Sequence, residues 1–212
     1  MLLRDTRGRE RPVEAILFDM DGTLVDSVAA TERAWRTWAE IHGVTERLRI
    51  AHGQPVEASI RQTMPEIDDA TLAIHRAEMR EREASDIAGV VPIPGTVELL
   101  RWLEGEDIPW IIVTSADINL ARARLGAAGI VPPRLVTRDD VTHGKPHPEP
   151  FLLGAERVGI VAERCLVVED TQAGVDSGHG AGAVTAGIGS LHADLVVDDI
   201  PHLHRVLVAA RA

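Results

Sequence analysis

The residues of this chain able to do chemistry fall in four short runs, and two aspartates in alternate positions are the most telling. In Ala15-Ile16-Leu17-Phe18-Asp19-Met20-Asp21-Gly22-Thr23-Leu24-Val25-Asp26-Ser27 an apolar run stops abruptly on Asp19 and Asp21, and a glycine turn follows. Side chains alternate along an extended segment, so Asp19 and Asp21 can face one small volume while Met20 points away. Two carboxylates that close invite a divalent metal. Further along, Thr114-Ser115 follows Ile111-Ile112-Val113, and Glu169-Asp170 follows Leu166-Val167-Val168. Lys145, in His143-Gly144-Lys145-Pro146-His147-Pro148-Glu149-Pro150-Phe151, is the one lysine among 22 basic residues. Codon bias toward arginine explains the ratio but not the exception. A compact ammonium approaches a phosphate or carboxylate where the width of a guanidinium fork does not fit. These are the polar groups that phosphate chemistry needs.

The elements that must position them are legible in the spacing of apolar residues. Short apolar runs ending on polar or glycine residues read as buried parallel strands, and the C-terminal ends of such strands are where open α/β sheets bind ligands. Helical spacing is expected near Val28 to His42, Pro55 to Met64 and Asp69 to Ala84, with no sheet strand among them. From Thr96 onward the alternation is regular: helix to Glu104, strand Trp110 to Thr114, helix Asp117 to Ala127, strand Arg134 to Thr137 and helix Glu149 to Val158. Strand Cys165 to Val168, helix Gln172 to Gly180, strands Ala183 to Ala186 and Leu195 to Val197, and a helix from His202 complete it. The expected fold is α/β: a doubly wound parallel sheet with a small all-helical domain inserted after the first strand. The core would comprise 13–24 and 92–212 and the helical cap 25–91, hinged at Val25-Asp26-Ser27 and at Gly89 to Pro94. Met1 to Pro12 is expected to be a frayed leader.

Composition narrows the function. With 212 residues, 45% of them hydrophobic and 26% charged, the chain has the make-up of an ordinary globular protein large enough for one α/β domain and a small insertion. No apolar run approaches the ~18–20 residues of a membrane span, and no signal-peptide stretch precedes the first strand, so a cytoplasmic protein is expected. A net charge of −11 and the lack of a basic block argue against nucleic acid and anionic membranes. Cys165 lies in an apolar strand run and reads as a packed residue. His143 and His147 have i, i+4 spacing, but the intervening prolines forbid a regular helix and no cysteine or third histidine completes a zinc set. The expected partner is a small phosphorylated metabolite. A monomer is the expected state, with a homodimer as the alternative.

The first run resembles the opening motif of the haloacid dehalogenase superfamily, Asp-x-Asp-Gly-Thr, in the form carried by its phosphatases and phosphomutases. Thr114 resembles the second motif by position, Gly144-Lys145-Pro146 the third, and Val167-Val168-Glu169-Asp170-Thr171-Gln172-Ala173-Gly174-Val175 the fourth. The resemblance covers about Val13 to Val197 and implies a Rossmann-like core with roles for each residue. Asp19 would be the nucleophile that forms a phosphoaspartate, and Asp21 the acid/base. Thr114 and Ser115 would grip a phosphate oxygen. Lys145 would neutralise charge on Asp19 and on the phosphoryl group. Asp19, the backbone carbonyl of Asp21, and Asp170 would hold Mg²⁺, with Glu169 holding a metal-bound water. Leu48 to Ile60 resembles the specificity loop of the sugar-phosphate and glycerol-phosphate phosphatases, with Gln54 and Pro55 where those proteins carry a basic residue. There His52 and Gln54 would hydrogen-bond substrate hydroxyls, and Arg49 or Arg61 would supply a cation. Trp35 and Trp38 would line the underside of the cap or pack its core. The reading that follows is an Mg²⁺-dependent phosphomonoesterase for a small sugar or polyol phosphate. The alternatives are a β-phosphoglucomutase-like phosphomutase and a non-catalytic phosphate-binding or regulatory protein on the same fold.

Overall fold

The first residues are not frayed. In the computed structural model, which describes residues 1–50 and 56–211, the chain opens with an antiparallel hairpin of β1 (Leu2–Arg4) and β2 (Glu10–Pro12). Asp5 makes the turn: its Oδ1 accepts from the backbone N–H of Arg7 and Arg9, each at 2.9 Å, and its Oδ2 from Arg9 Nε at 2.7 Å. Leu3 then alternates inward and is buried against the main core. A leader judged by its charges alone hides this, because three charged residues serve the turn and one leucine does the anchoring.

The strand β3 (Ala15–Phe18) follows, and after the turn at Gly22 the chain forms β4 (Val25–Asp26). Among the described residues three α-helices come next, α1 (Val28–Ile41), α2 (Val56–Thr63) and α3 (Asp69–Ser85), before β5 (Val91–Pro92) returns. β4 and β5 pair antiparallel, Val25 opposite Pro92 and Asp26 opposite Val91, so the two connections to the helical segment form one narrow ribbon. The helices bury an apolar face of their own: Ala34, Trp35, Trp38, Val44, Ile60, Leu72 and Met79 form a separate cluster. Burying an aliphatic or Met side chain of this kind is worth ~1.5–3 kcal/mol, which supports a second small core. Trp38 is wholly buried, and its Nε1 donates to His75 Nδ1 at 3.1 Å, so the polar end of the ring is satisfied.

The remainder alternates as expected: α4 (Thr96–Gly105), β6 (Trp110–Val113), α5 (Ile118–Ala127), β7 (Leu135–Val136), α6 (Glu149–Val158), β8 (Cys165–Glu169), α7 (Gln172–Gly180), β9 (Val184–Ile188), β10 (Leu195–Val197) and α8 (Ile200–Arg211). Six strands make one parallel sheet in the order β10-β9-β8-β3-β6-β7. Each central strand is apolar on both faces, and the period of two divides the core. Ile16, Phe18, Trp110, Ile112, Leu166 and Val168 face one side, where α4, α5 and α8 pack. Ala15, Leu17, Ile111, Val113, Cys165 and Val167 face the other, against α6. Gly154 lets α6 approach closely, since a Cβ there would lie 2.8 Å from Val113 and 3.0 Å from Leu17. In register, Phe18 stands opposite both Ile112 and Val168, so β3, β6 and β8 end together. Among the described residues no helix is long and apolar enough to cross a membrane.

Candidate active site

The common end of β3, β6 and β8 is where the polar residues converge. Asp19 leaves β3 with its backbone N–H on Val168 O at 2.9 Å, and its side chain is largely buried. Lys145 comes from the loop before α6. Its Nζ donates to Asp19 Oδ1 at 2.6 Å, Glu169 Oε1 at 2.6 Å and Val113 O at 2.9 Å, which uses all three ammonium hydrogens. The ammonium also lies 4.8 Å above the centroid of the Phe151 ring. Both oxygens of Glu169 are engaged, since its Oε2 accepts from the backbone N–H of Thr171 at 3.2 Å and from Thr171 Oγ1 at 2.8 Å. Thr171 in turn caps α7, accepting from Gly174 N–H. Gly174 must be glycine there, because a Cβ would fall 1.8 Å from the Glu169 carboxyl carbon.

Electrostatics set these groups apart from surface carboxylates. Burial pushes Asp19 well above the usual carboxylate range, with Glu169 and Asp170 adding to the effect and Lys145 opposing it. Burial likewise raises Asp170 to about 7, with repulsion from Glu169 contributing. Burial works against the Lys145 ammonium, but Asp19 and Glu169 outweigh it and push its pKa up. Three carboxylates therefore share one cation. Oxygens of Asp19, Glu169 and Asp170 lie within 4.8 Å of one another, and Asp170 Oδ1 is buried with no partner among the described residues. Opposite Asp170, Gly22 adopts φ +83°, and a Cβ there would lie 2.0 Å from Asp170 Oδ2. An orphaned buried carboxylate oxygen, excess negative charge and an all-oxygen donor set fit a hard divalent cation.

Asp21 sits across the same cavity, with Ser27 Oγ donating to its Oδ1 at 2.7 Å. Thr114 is buried, and its Oγ1 accepts from Ala116 N–H at 3.0 Å. Ser115 is exposed, and both residues line the cavity. Asp117 is the cap of α5, accepting from the N–H groups of Asn119 and Leu120. The cavity, of about 290 Å³, is roofed by residues of the inserted segment, among them Trp35, Ile50, Val56, Arg76, Arg80 and Glu83.

The inserted segment departs most from the sequence expectation. His52 and Gln54 lie outside the described residues. Arg49 is exposed and donates to Leu48 O at 2.9 Å, and Arg61 pairs with Asp69 at 2.5 Å; neither lines the cavity. Each arginine has a nearer partner in its own segment, which draws it away. The cavity is reached instead by Arg76, Arg80, Arg124 and Arg138. Arg76 bonds Glu57, and Arg80 stands 3.5 Å from Asp117 Oδ2. Nothing in a chain with so many arginines marks these four, except that Arg124 occupies the apolar face of a helix. Trp35 lines the cavity, whereas Trp38 belongs to the helical core.

Two further observations concern residues set aside from the sequence. Cys165 is buried in the core beside Phe151 and Ala155, and burial pushes its thiol up to about 12, as befits a packed residue. His143 and His147 do meet a third donor, Glu149, with His143 Nδ1 2.9 Å from Oε2; the donor set lies on the surface, outside the cavity.

A family model described as haloacid dehalogenase-like hydrolase matches residues 13–182. The chain is 43% identical over 172 residues to hexitol phosphatase A of Escherichia coli (strain K12), covering 80% of each. Fructose-1-phosphate phosphatase YqaB of the same organism is 30% identical over 175 residues, covering 79% of this chain and 92% of the relative. The structure of a hydrolase from Pseudomonas syringae superposes with a TM-score of 0.78 at 28% identity, over 92% of this chain and 98% of that one.

Proposed function

Since this chain belongs to the haloacid dehalogenase-like hydrolases, we propose that it is a phosphatase that hydrolyses a small sugar or polyol phosphate by way of a phosphoaspartate, with Mg²⁺ as cofactor. One observation carries the reading: a buried lysine bridging Asp19 and Glu169 at 2.6 Å, beside an Asp170 oxygen with no partner among the described residues, in the cavity between the sheet and the inserted helices.

The substrate's phosphoryl group lies over Asp19, its oxygens within reach of the Thr114 hydroxyl and the backbone N–H of Ser115. An Asp19 carboxylate oxygen attacks phosphorus in line with the ester oxygen; the O–P bond to Asp19 forms as the bond to the alcohol breaks. Asp21 gives its proton to the departing alkoxide. It then takes a proton from the water that attacks the phosphoaspartate, which restores Asp19 and releases phosphate. Lys145 offsets negative charge at Asp19, so that an anion can approach an anion. Asp19, Asp170 and the Asp21 carbonyl would hold Mg²⁺, with Glu169 acting through a water, and the ion would supply further positive charge at the phosphoryl oxygens. The helices of 25–91 act as a cap that excludes bulk water and meets the alcohol portion; the β4–β5 ribbon is the hinge.

Phosphate release is measured over glycerol, pentose, hexose and hexitol phosphates, with and without Mg²⁺ after EDTA treatment. Metal-dependent hydrolysis of at least one sugar or polyol phosphate is expected, and no phosphate release from any would overturn the reading. A phosphomutase would return the phosphoryl group to the sugar, giving an isomeric phosphate in place of free phosphate.

A further inference from the structure

The most deeply buried arginine at the cavity has no part in that mechanism. Arg124, on α5, is only 7% exposed, and its guanidinium touches three elements at once. Nη1 pairs with Asp21 Oδ1 at 2.9 Å, while Nη2 donates to Thr31 Oγ1 on α1 at 2.8 Å and stands 3.6 Å from Glu83 Oε1 on α3. Its Nε is buried without a partner among the described residues. A buried guanidinium with an unmet donor is a costly way to hold helices together, and an apolar side chain would pack the same space more cheaply. Its placement asks for a role besides packing.

Both contacts on Asp21, from Ser27 Oγ and from Arg124, fall on Oδ1. Oδ2 has no partner among the described residues. The carboxyl is thus pinned by one oxygen with the other left to carry and deliver a proton. Two of the three groups that hold Arg124, Thr31 and Glu83, belong to the inserted helices, so displacement of those helices from the sheet would release it. We propose that Arg124 is a positioning residue for Asp21, clamped by Thr31 and Glu83, and that it aims the acid/base carboxyl only while the inserted helices are docked. This rests on the phosphatase reading.

The test exploits the leaving group. p-Nitrophenolate departs without a proton, whereas the alkoxide of a polyol phosphate needs one. Rapid-quench single-turnover rates of phosphorylation are measured on p-nitrophenyl phosphate and on the best polyol phosphate found, for wild type, Arg124→Met, Arg124→Lys, Thr31→Val and Glu83→Gln. Arg124→Met is expected to lose about 10²-fold on the polyol phosphate, the worth of positioned general acid catalysis, and under about 3-fold on the aryl ester. Arg124→Lys, too short to span all three partners, restores part of the loss. Thr31→Val and Glu83→Gln keep the guanidinium and are expected to show the same substrate split at about 10-fold, so the idea is tested even if Arg124→Met does not fold. Equal losses on both esters, or no loss on the polyol phosphate, overturn it. An Asp19→Asn arm separates the two levels: activity surviving there removes the phosphoaspartate reading and this inference with it. An inactive Asp19→Asn beside absent leaving-group discrimination removes only the role of Arg124.

Discussion

At the scale of single residues, Lys145 shows how far one side chain is specified by its surroundings. Its three ammonium hydrogens meet three oxygens at 2.6 to 2.9 Å in a space that leaves the side chain 6% exposed. A guanidinium carries the same charge but is planar and broad, and cannot meet three oxygens around one nitrogen. Lys145→Arg is therefore expected to lower kcat by on the order of 10²-fold, as a misplacement of about 1 Å does. Initial-rate kinetics on a polyol phosphate checks this, with circular dichroism to show that the fold is kept. A variant with wild-type kcat would mean that the ammonium's shape does not matter to the reaction. Asp19 and Asp170 were legible as candidates because carboxylates are unusual where apolar runs end, and Lys145 because it is the one lysine in a chain of arginines. Arg124 was not. It is one arginine among many, and its importance lies in partners 93 and 41 residues away in sequence, at Thr31 and Glu83.

At the scale of elements, the turns after the strands carry as much of the site as the strands do. Gly22 has φ +83°, and its missing Cβ makes room for Asp170, so Gly22→Ala meets both backbone strain and a carboxylate oxygen 2.0 Å away. The expected result is a lower Tm together with loss of metal-dependent activity, read by thermal melts and by metal titration; an unchanged metal affinity would contradict it. Helix α3 gives a second test. Glu83 is pushed up to about 7 by burial, which outweighs the attraction of Arg124, against an ordinary value of 4.5. Folding then binds a proton between those values. Its contribution to stability is whole below pH 4.5 and is lost as pH rises to about 7. The Tm of Glu83→Gln should fall less than that of wild type between pH 4.5 and 7, and parallel curves would show that Glu83 titrates as a surface carboxylate does. The hairpin β1–β2 belongs to this scale as well. Its strands are three residues each, too short for periodicity to speak, and only the fit of Leu3 into the core and the Asp5 turn reveal them.

At the scale of the whole molecule, the four acidic side chains Asp19, Asp21, Glu169 and Asp170 meet only Lys145 and Arg124 among the described residues at the junction of a sheet and a helical insertion, and the excess of negative charge is a store of instability that a further cation relieves. A ligand that binds only the folded state at 100 times its Kd stabilises by about 2.7 kcal/mol, which for a protein of this size is a rise in Tm of roughly 5–10 °C. Mg²⁺ is expected to produce such a shift in EDTA-treated protein, and Asp170→Asn to abolish it. A wild-type melt indifferent to Mg²⁺ would remove the metal from this centre.

The order of the six strands of the parallel sheet, the run of helices that follows its first strand in sequence, β3, and the four motif places at Asp19/Asp21, Thr114-Ser115, Lys145 and Glu169-Asp170 were legible in the sequence itself. Period-two and helical spacing are local properties, and the motif residues other than Lys145 stand where an apolar run ends. The tertiary structure alone decided which arginines reach the cavity. Arg49 and Arg61 were drawn off by Leu48 O and Asp69, while Arg76, Arg80, Arg124 and Arg138 were brought in from α3, α5 and the loop after β7. A long cation goes to whichever oxygen lies nearest in space, and the distance between α3 and α5 is set by the packing of the inserted helices over the sheet, which no local pattern in the chain contains.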